Sequence, residues 1–429
     1  SLAATTSIDI GVATLTAVDA NAAAALTVAA GGSASFSGST VAVASLSGAG
    51  DVQLGATTFK VGAGNFSGVI SGANASLVKD TAGTLTLSGV NTYGGSTSVD
   101  AGTLVTVGHA RLANTSGVVV AVGATLDLGG DETVGTLANA GTITLSAVGG
   151  TLTVSSGTSS GAINGVGNLI KTGPGSLALT GANAFTGATT LAGGTVTASA
   201  GALGGTSGVS IGGLATLNAV DLNAAATMTV AAGGTGSLSA AGLSLGAVSN
   251  DGVLSFTGAS GRITLAGLTG SGTTNFAADA LISGGISGGV VNVAGNLNST
   301  ISGGIVTTYS LDTTSVTGGV VTVTGANAAM GGTNTVSGGT VRLGDDAAVA
   351  TGGLVVTGSA TFTSDGATTR GVSSAVNLGG DITVGDDEYR MATTSVGRGK
   401  GAVQVARTLD ENEDLLQRLR NRVLLAVLV

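Results

Sequence analysis

Gly157-Thr158-Ser159-Ser160-Gly161 has the G-x-S-x-G form in which a serine, held on a strained strand-to-helix elbow, attacks an acyl carbon. Such a serine needs a base, and the chain has one histidine, His109, in the segment Val107-Gly108-His109-Ala110-Arg111-Leu112. That segment reads as an exposed corner, with no independent reason to lie near Ser159, and no helix follows the serine to make the elbow. A chain this rich in Gly and Ser produces the pattern by chance. A single histidine cannot assemble a metal site. Asp51, in GAGDVQLG, loosely matches the glycine-rich calcium nonapeptide, but calcium coils need that unit in tandem and it does not recur. Asp19 and Asp221 occupy equivalent places in a long internal repeat, which suits a turn better than catalysis. No P-loop, dinucleotide fingerprint or Ser-His-Asp set can be assembled. The expectation is a protein that is not an enzyme, with no catalytic, metal or cofactor-binding residues and no cofactor. Ser159→Ala and His109→Ala are expected to leave stability and binding unchanged.

The other conspicuous polar residues read as structural. Asn91 and Asn183, just after a glycine beyond a strand, are expected to turn a corner in the left-handed conformation or to stack as an amide ladder. Tyr93 and Phe185 read as corner packing, and Lys79 and Lys171 as solvated faces.

These residues all sit in one recurring stretch. ASLVKDTAGTLTLSGVNTYGGSTSVDAGTL, at Ala75–Leu104, returns as NLIKTGPGSLALTGANAFTGATTLAGGTV at Asn168–Val196. Leu77, Lys79, Leu85, Leu87, Asn91, Tyr93 and Thr97 fall on Leu169, Lys171, Leu177, Leu179, Asn183, Phe185 and Thr189 without a gap. A second duplication relates AVDANAAAALTVAAGG at Ala17–Gly32 to AVDLNAAATMTVAAGG at Ala219–Gly234, and a worn third copy of the first stretch lies at Val321–Leu343. Between them run short alternating segments such as Ser7–Ile10, Ser33–Phe36, Gly117–Leu128 and Thr142–Leu145. A period of two means one face in and one face out. One or two glycines separate the segments, and hairpin dipeptides between paired runs are missing, so the chain should wind rather than fold back. The expected fold is all-β: a single right-handed parallel β-helix of about 22 residues per coil, closed by a short C-terminal helix.

Composition agrees. Of 429 residues 78 are Gly and one is Pro, with no collagen period; 43% are hydrophobic and 9% charged, enough apolar material for a core. Aromatics at 2% and no Trp argue against nucleic-acid stacking platforms and carbohydrate-stacking clefts, which need ring faces, and a net charge of −9 also opposes nucleic acid and anionic lipid as partners. No cysteine is present, so no disulfide or thiolate site holds the fold. No apolar run reaches the length of a membrane helix, so no membrane insertion by this chain is expected. The first residues, SLAATTSIDI, lack the regions of a signal peptide, so either the chain is not exported or a signal has been removed.

The alternating pattern stops at Gly385, and the last 44 residues hold 14 of the 37 charges. The division expected is 1–385 solenoid body, 386–408 charged, glycine-containing linker and 409–429 amphipathic helix. Thr408 with Glu411 makes a capping box, and Arg418, Arg420 and Arg422 follow in the order a helix dipole favours. That helix would cap the solenoid or link it to a further domain.

Phe66–Leu104 and Gly161–Val196 resemble the autotransporter passenger-associated strand repeat, with the departure at Asp80 and Thr81 where the first copy lacks a glycine. The resemblance implies a surface-exposed or secreted β-helical passenger of a Gram-negative bacterium, exported through its own outer-membrane β-barrel, which is not among these residues. It implies a rigid stalk for adhesion or display, with an unidentified ligand on a host or neighbouring cell and self-association left open. The alternatives are a surface-layer or fibre-type solenoid and, more weakly, a polysaccharide-acting β-helix enzyme, which would need Asp, Lys and Arg clustered in one groove.

Overall fold

The computed structural model describes residues 7–406 apart from 18, 21, 113–116, 312–313, 324–333, 344–353, 359, 365–375, 379–381, 385–386, 393–394, 397–399 and 402–403. Two compact units divide the chain: Ser1–Ala266 with Gly272–Asn275, and Gly267–Ser271 with Phe276–Val429.

In the first unit the chain winds as a parallel β-solenoid with three faces. On the first face Ser7–Ile10 lies beside Ala25–Val28, and further on Thr84–Leu87, Thr103–Val107, Thr125–Gly129, Thr142–Leu145 and Ala162–Gly165 stack in order. The third face stacks Ser76–Lys79, Thr97–Val99 and Val118–Val120, and continues to Ser176–Leu179, Gly194–Ala198, Ala215–Ala219 and Thr235–Leu238. The second face begins with a five-stranded sheet, Thr14–Ala17, Ser33–Phe36, Asp51–Leu54, Ile70–Gly72 and Thr92–Tyr93. It resumes at Glu132–Val134 and runs through Thr151–Val154, Asn168–Lys171 and Thr189–Leu191. One coil takes about 20 residues, the interval between the stacked Asn139 and Ser159. Every strand thus has its ladder partners one coil away, as winding requires.

Alternation sets which side chains fill the solenoid. In Thr84-Leu85-Thr86-Leu87 the leucines are wholly buried and the threonines point out, and Ser176-Leu177-Ala178-Leu179 repeats this. Aromatic rings enter near the start, where Phe36 and Phe59 stack with centroids 6.3 Å apart. Glycine is required where one coil passes close over the next: a Cβ on Gly161 would lie 2.0 Å from the Gly141 carbonyl oxygen, and one on Gly181 2.2 Å from that of Gly161. These glycines, one per coil at the same corner, are the solenoid's vertical seam.

The two copies of the 92-residue repeat do not face the same way. Ser76–Lys79 belongs to the column of the third face, whereas its counterpart Asn168–Lys171 stacks on Thr151–Val154 in the second. Ninety-two residues at about 20 per coil are four full turns and two-thirds of a fifth, so the motif returns one face short of its starting orientation. The longer duplication is shifted too, since Ala25–Val28 lies on the first face and Thr227–Val230 stacks on Gly208–Ile211 of the second.

The second unit winds more tightly at first: Val290, Ile305 and Val320 stack directly, a coil of 15 residues, before Thr340–Leu343 and Ala360–Ser364 lengthen it. Parallel stacking ends at Ile382–Val384, beside which Asp387–Ala392 runs antiparallel. Within 386–408, expected as a linker, the described residues pair as antiparallel strands: Arg390–Ala392 with Gln404–Ala406, and Ser395–Val396 with Lys400–Gly401. Alternation in Glu388-Tyr389-Arg390-Met391 is strand-like despite its charge. Among the described residues there is no helix, and the expected helix at 409–429 lies outside them.

Candidate binding surface

The serine and histidine of the sequence pattern are held apart by different partners. Ser159 is wholly buried, its hydroxyl receiving the Asn139 amide at 2.9 Å and donating to the Gly161 carbonyl at 3.2 Å. Ser159 therefore has no solvent access and is committed to two structural bonds, which weighs against the expectation that its replacement leaves stability unchanged. His109 is 72% exposed. Its Nδ1 accepts the Asp131 N–H at 3.1 Å and lies 3.0 Å from Asp131 Oδ2. Asp221 Oδ1 accepts the Gly201 N–H at 2.9 Å, a turn role. Asp51 begins the central strand of the five-stranded second-face sheet, with its N–H on the Gly32 carbonyl.

Lys79 and Lys171 are not solvated: both are wholly buried. Lys171 Nζ donates to the carbonyls of Thr172 at 2.6 Å, Gly173 at 2.9 Å and Gly193 at 3.1 Å. Lys79 donates to Thr81 and, at 3.0 Å, to Ala101. Each ammonium therefore ties the corner of its own coil to the corner of the next. Burial pulls both ammoniums below the ordinary lysine value, against a smaller upward pull from Asp80 on Lys79. The signal was present in the alternation, because each lysine stands two residues after an inward leucine, Leu77 or Leu169.

Asn91 and Asn183 also span coils. Asn91 Oδ1 accepts the Ile70 N–H at 2.8 Å and its amide donates to the Arg111 carbonyl at 2.6 Å; Asn183 does the same with Ile163 at 2.8 Å and Ala202 at 2.9 Å. Neither is left-handed, since the only described non-glycine residue with positive φ is Ala110, at 52°. The amides cross-link backbone of the coils below and above. Tyr93 and Phe185 are buried at those corners as expected, the tyrosine hydroxyl 2.6 Å from Thr97 Oγ1.

The carbonyls held by Asn91 and Asn183 belong to the two places where the chain leaves the sheet in this part of the unit. Residues 108–112 interrupt the second face, and 199–207 form turns between Gly194–Ala198 and Gly208–Ile211. A buried leucine anchors each, Leu112 or Leu203. Above the first excursion, buried Glu132 accepts the N–H groups of Arg111 at 2.7 Å and Leu112 at 3.1 Å, standing in for a missing strand. Burial pushes its carboxyl above the ordinary value, and those N–H groups pull it partway back. Glu132, two residues before inward Val134, escaped the sequence reading for the same reason as the lysines. The arrangement can position loops on the solenoid surface; it holds no acid–base pair in a cleft, and no group of three metal-ligating side chains occurs among the described residues.

The passenger-associated-transport-repeat family matches residues 77–105 and 169–198, the two copies whose lysines, asparagines and aromatics are described above. Over 142 residues, 31% of the chain, the sequence is 39% identical to the adhesin BmaC autotransporter of Brucella suis biovar 1 (strain 1330), and the match spans 4% of that protein's length. No solved structure matches the chain. Residues 77–105 and 169–198 are thus autotransporter passenger repeats, and the chain that carries them is of the kind exported across the outer membrane to the cell surface or released from it.

Proposed function

We propose that this chain is part of a non-enzymatic adhesive passenger, a solenoid stalk that holds binding surface away from the cell, delivered by an outer-membrane β-barrel belonging to the same protein. One observation carries the reading: in both repeat copies the polar residues of the motif, lysine and asparagine, are spent on joining coil to coil. A motif whose chemistry is wholly internal builds a scaffold, leaving ligand contact to the loops and outward side chains. The relative's name supports adhesion as the use of that scaffold. The test is adherence of cells displaying the full-length protein, with soluble chain as competitor and surface exposure followed by external protease. Competition together with protease-sensitive display supports the reading. Protein that stays inside the outer membrane, or adherence indifferent to competitor, refutes it.

A further inference from the structure

The excursion at 108–112 hangs between two coils. From above, Glu132, 1% exposed, accepts the N–H of Arg111 on Oε1 at 2.7 Å and that of Leu112 on Oε2 at 3.1 Å. From below, Asn91 donates to the Arg111 carbonyl at 2.6 Å. Ala110, one residue earlier, is left-handed at φ 52°, and its N–H donates to the Asp131 carbonyl at 2.8 Å. A residue other than glycine keeps that conformation only while its surroundings impose it, so the loop depends on the carboxyl that holds its inner end.

That carboxyl has no counter-ion. Arg111 turns its Nε to the Val107 carbonyl at 2.8 Å, and no ion pair joins its guanidinium to Glu132 among the described residues. His109 meets Asp131 on the exposed surface, and Asp127 takes the Ser146 hydroxyl on the outside of the first face. Asn91 below, the strand Thr103–Val107 and the strand Thr151–Val154 stacked above bring no charge. Ionised, Glu132 is therefore a desolvated charge sustained mainly by two N–H groups; burial holds it above the ordinary carboxyl value, although those groups pull it partway back. Neutral, it leaves nothing unpaired. Thr106, one of the groups acting on the carboxyl, is wholly buried with no hydrogen-bond partner for its Oγ1 among the described residues, and it can accept the added O–H. We propose that Glu132 is a proton-operated latch: the excursion at 108–112 is held tightest when the carboxyl is neutral, in mildly acidic surroundings, and loosens as the carboxyl ionises. The proton comes from solvent. A carboxyl raised in the held loop strengthens the hold as pH falls, and the hold weakens as pH rises through the folded value. The latch needs no ligand, so it stands apart from the adhesive reading.

Two measurements on the whole chain test it. The chain has four glutamates, Glu132, Glu388, Glu411 and Glu413, so NMR of a sample isotopically labelled at the glutamate carboxyl carbon follows each titration, and Glu132→Gln identifies the Glu132 signal. Glu132 should titrate above the other three. Hydrogen exchange read by mass spectrometry then reports on the loop. Relative to an unstructured reference at each pH, protection of the 108–112 amides should rise severalfold between about pH 7 and about pH 5, where a raised carboxyl takes up its proton. Glu132→Gln, uncharged throughout, should show no such rise, and Glu132→Ala should leave the loop poorly protected at both ends. His109→Gln should keep the rise, because the imidazole lies outside the latch. Glu132 titrating with or below the other glutamates, loop protection flat or falling in acid, an equal rise in Glu132→Gln, or a rise abolished by His109→Gln would each overturn the latch. Glutamine keeps the shape of the carboxyl, so the comparison holds even where Glu132→Ala does not fold.

Discussion

Replacing Lys171 by methionine tests whether a buried ammonium holds two coils together or is a burden the solenoid tolerates. Methionine keeps the length and apolar stem of lysine, so packing is nearly conserved and the change isolates the donors. Three carbonyls, at 2.6, 2.9 and 3.1 Å, lose their partner. If all three stayed dry the loss would be about 1–3 kcal/mol each. Gly173 is exposed and Thr172 and Gly193 are half-buried, so water can reach most of them and reduce that sum. Against it stands the relief of no longer desolvating a charge, the effect that pulls the ammonium below its usual value. Because the carbonyls remain when the charge is gone, the loss should win, at about 1–3 kcal/mol net. Stacked coils open locally, so the assay is native-state hydrogen exchange at the amide of Ala192, which bonds to the Lys171 carbonyl at 2.8 Å across the same corner. Protection there should fall about ten- to a hundredfold, while Lys60→Met, at a lysine that is not buried, should change little. A methionine variant as protected as the parent, or more so, would refute the clamp.

Three further outcomes follow from the same geometry. Gly161→Ala, whose Cβ would sit 2.0 Å from a backbone oxygen, should lower the urea midpoint well beyond Gly11→Ala, which meets nothing within 4 Å; equal effects would remove the seam argument. Leu85→Asp or Leu177→Asp places a charge at a fully buried position and should cost several kcal/mol, read as loss of the cooperative melt, whereas Ser159→Ala should cost about 1 kcal/mol by depriving Asn139 of a partner. Glu132 has its folded-state carboxyl raised above the unfolded one, so its favourable contribution is complete at acid pH and is lost as pH rises through the folded value; the stability of the parent relative to Glu132→Gln should therefore improve as pH falls towards about 4.5, and a flat or opposite difference would contradict the burial argument.

The winding was legible because alternation and glycine spacing are local consequences of it: Thr84-Leu85-Thr86-Leu87 announces its two faces in four residues. What misled was residue type. Lys79 and Lys171 read as solvated faces because charges belong in water, and Glu132 drew no reading, although the position of all three in the alternation places them inside. Their compensation comes from corner carbonyls and N–H groups one coil away, about 20 positions off in sequence, and no local pattern reports such a partner. Asn91 and Asn183 were rightly read as structural but through the wrong bond, for the same reason.

The shifted orientation of the two repeat copies has a consequence for how such a chain can grow. If a duplicated block were a whole number of coils, every copy of a loop would appear on the same side, and new copies could only lengthen a row. A block that falls a third of a turn short acts as a phase step. The excursion that interrupts the second face near His109 has its counterpart near Gly201 on another side, delivered there by arithmetic alone, without any change to the strands that carry it. Each further copy would advance the address again, so three copies would service all three sides. Duplication in this chain thus distributes one socket around the axis, and each socket is then free to diverge in what it presents.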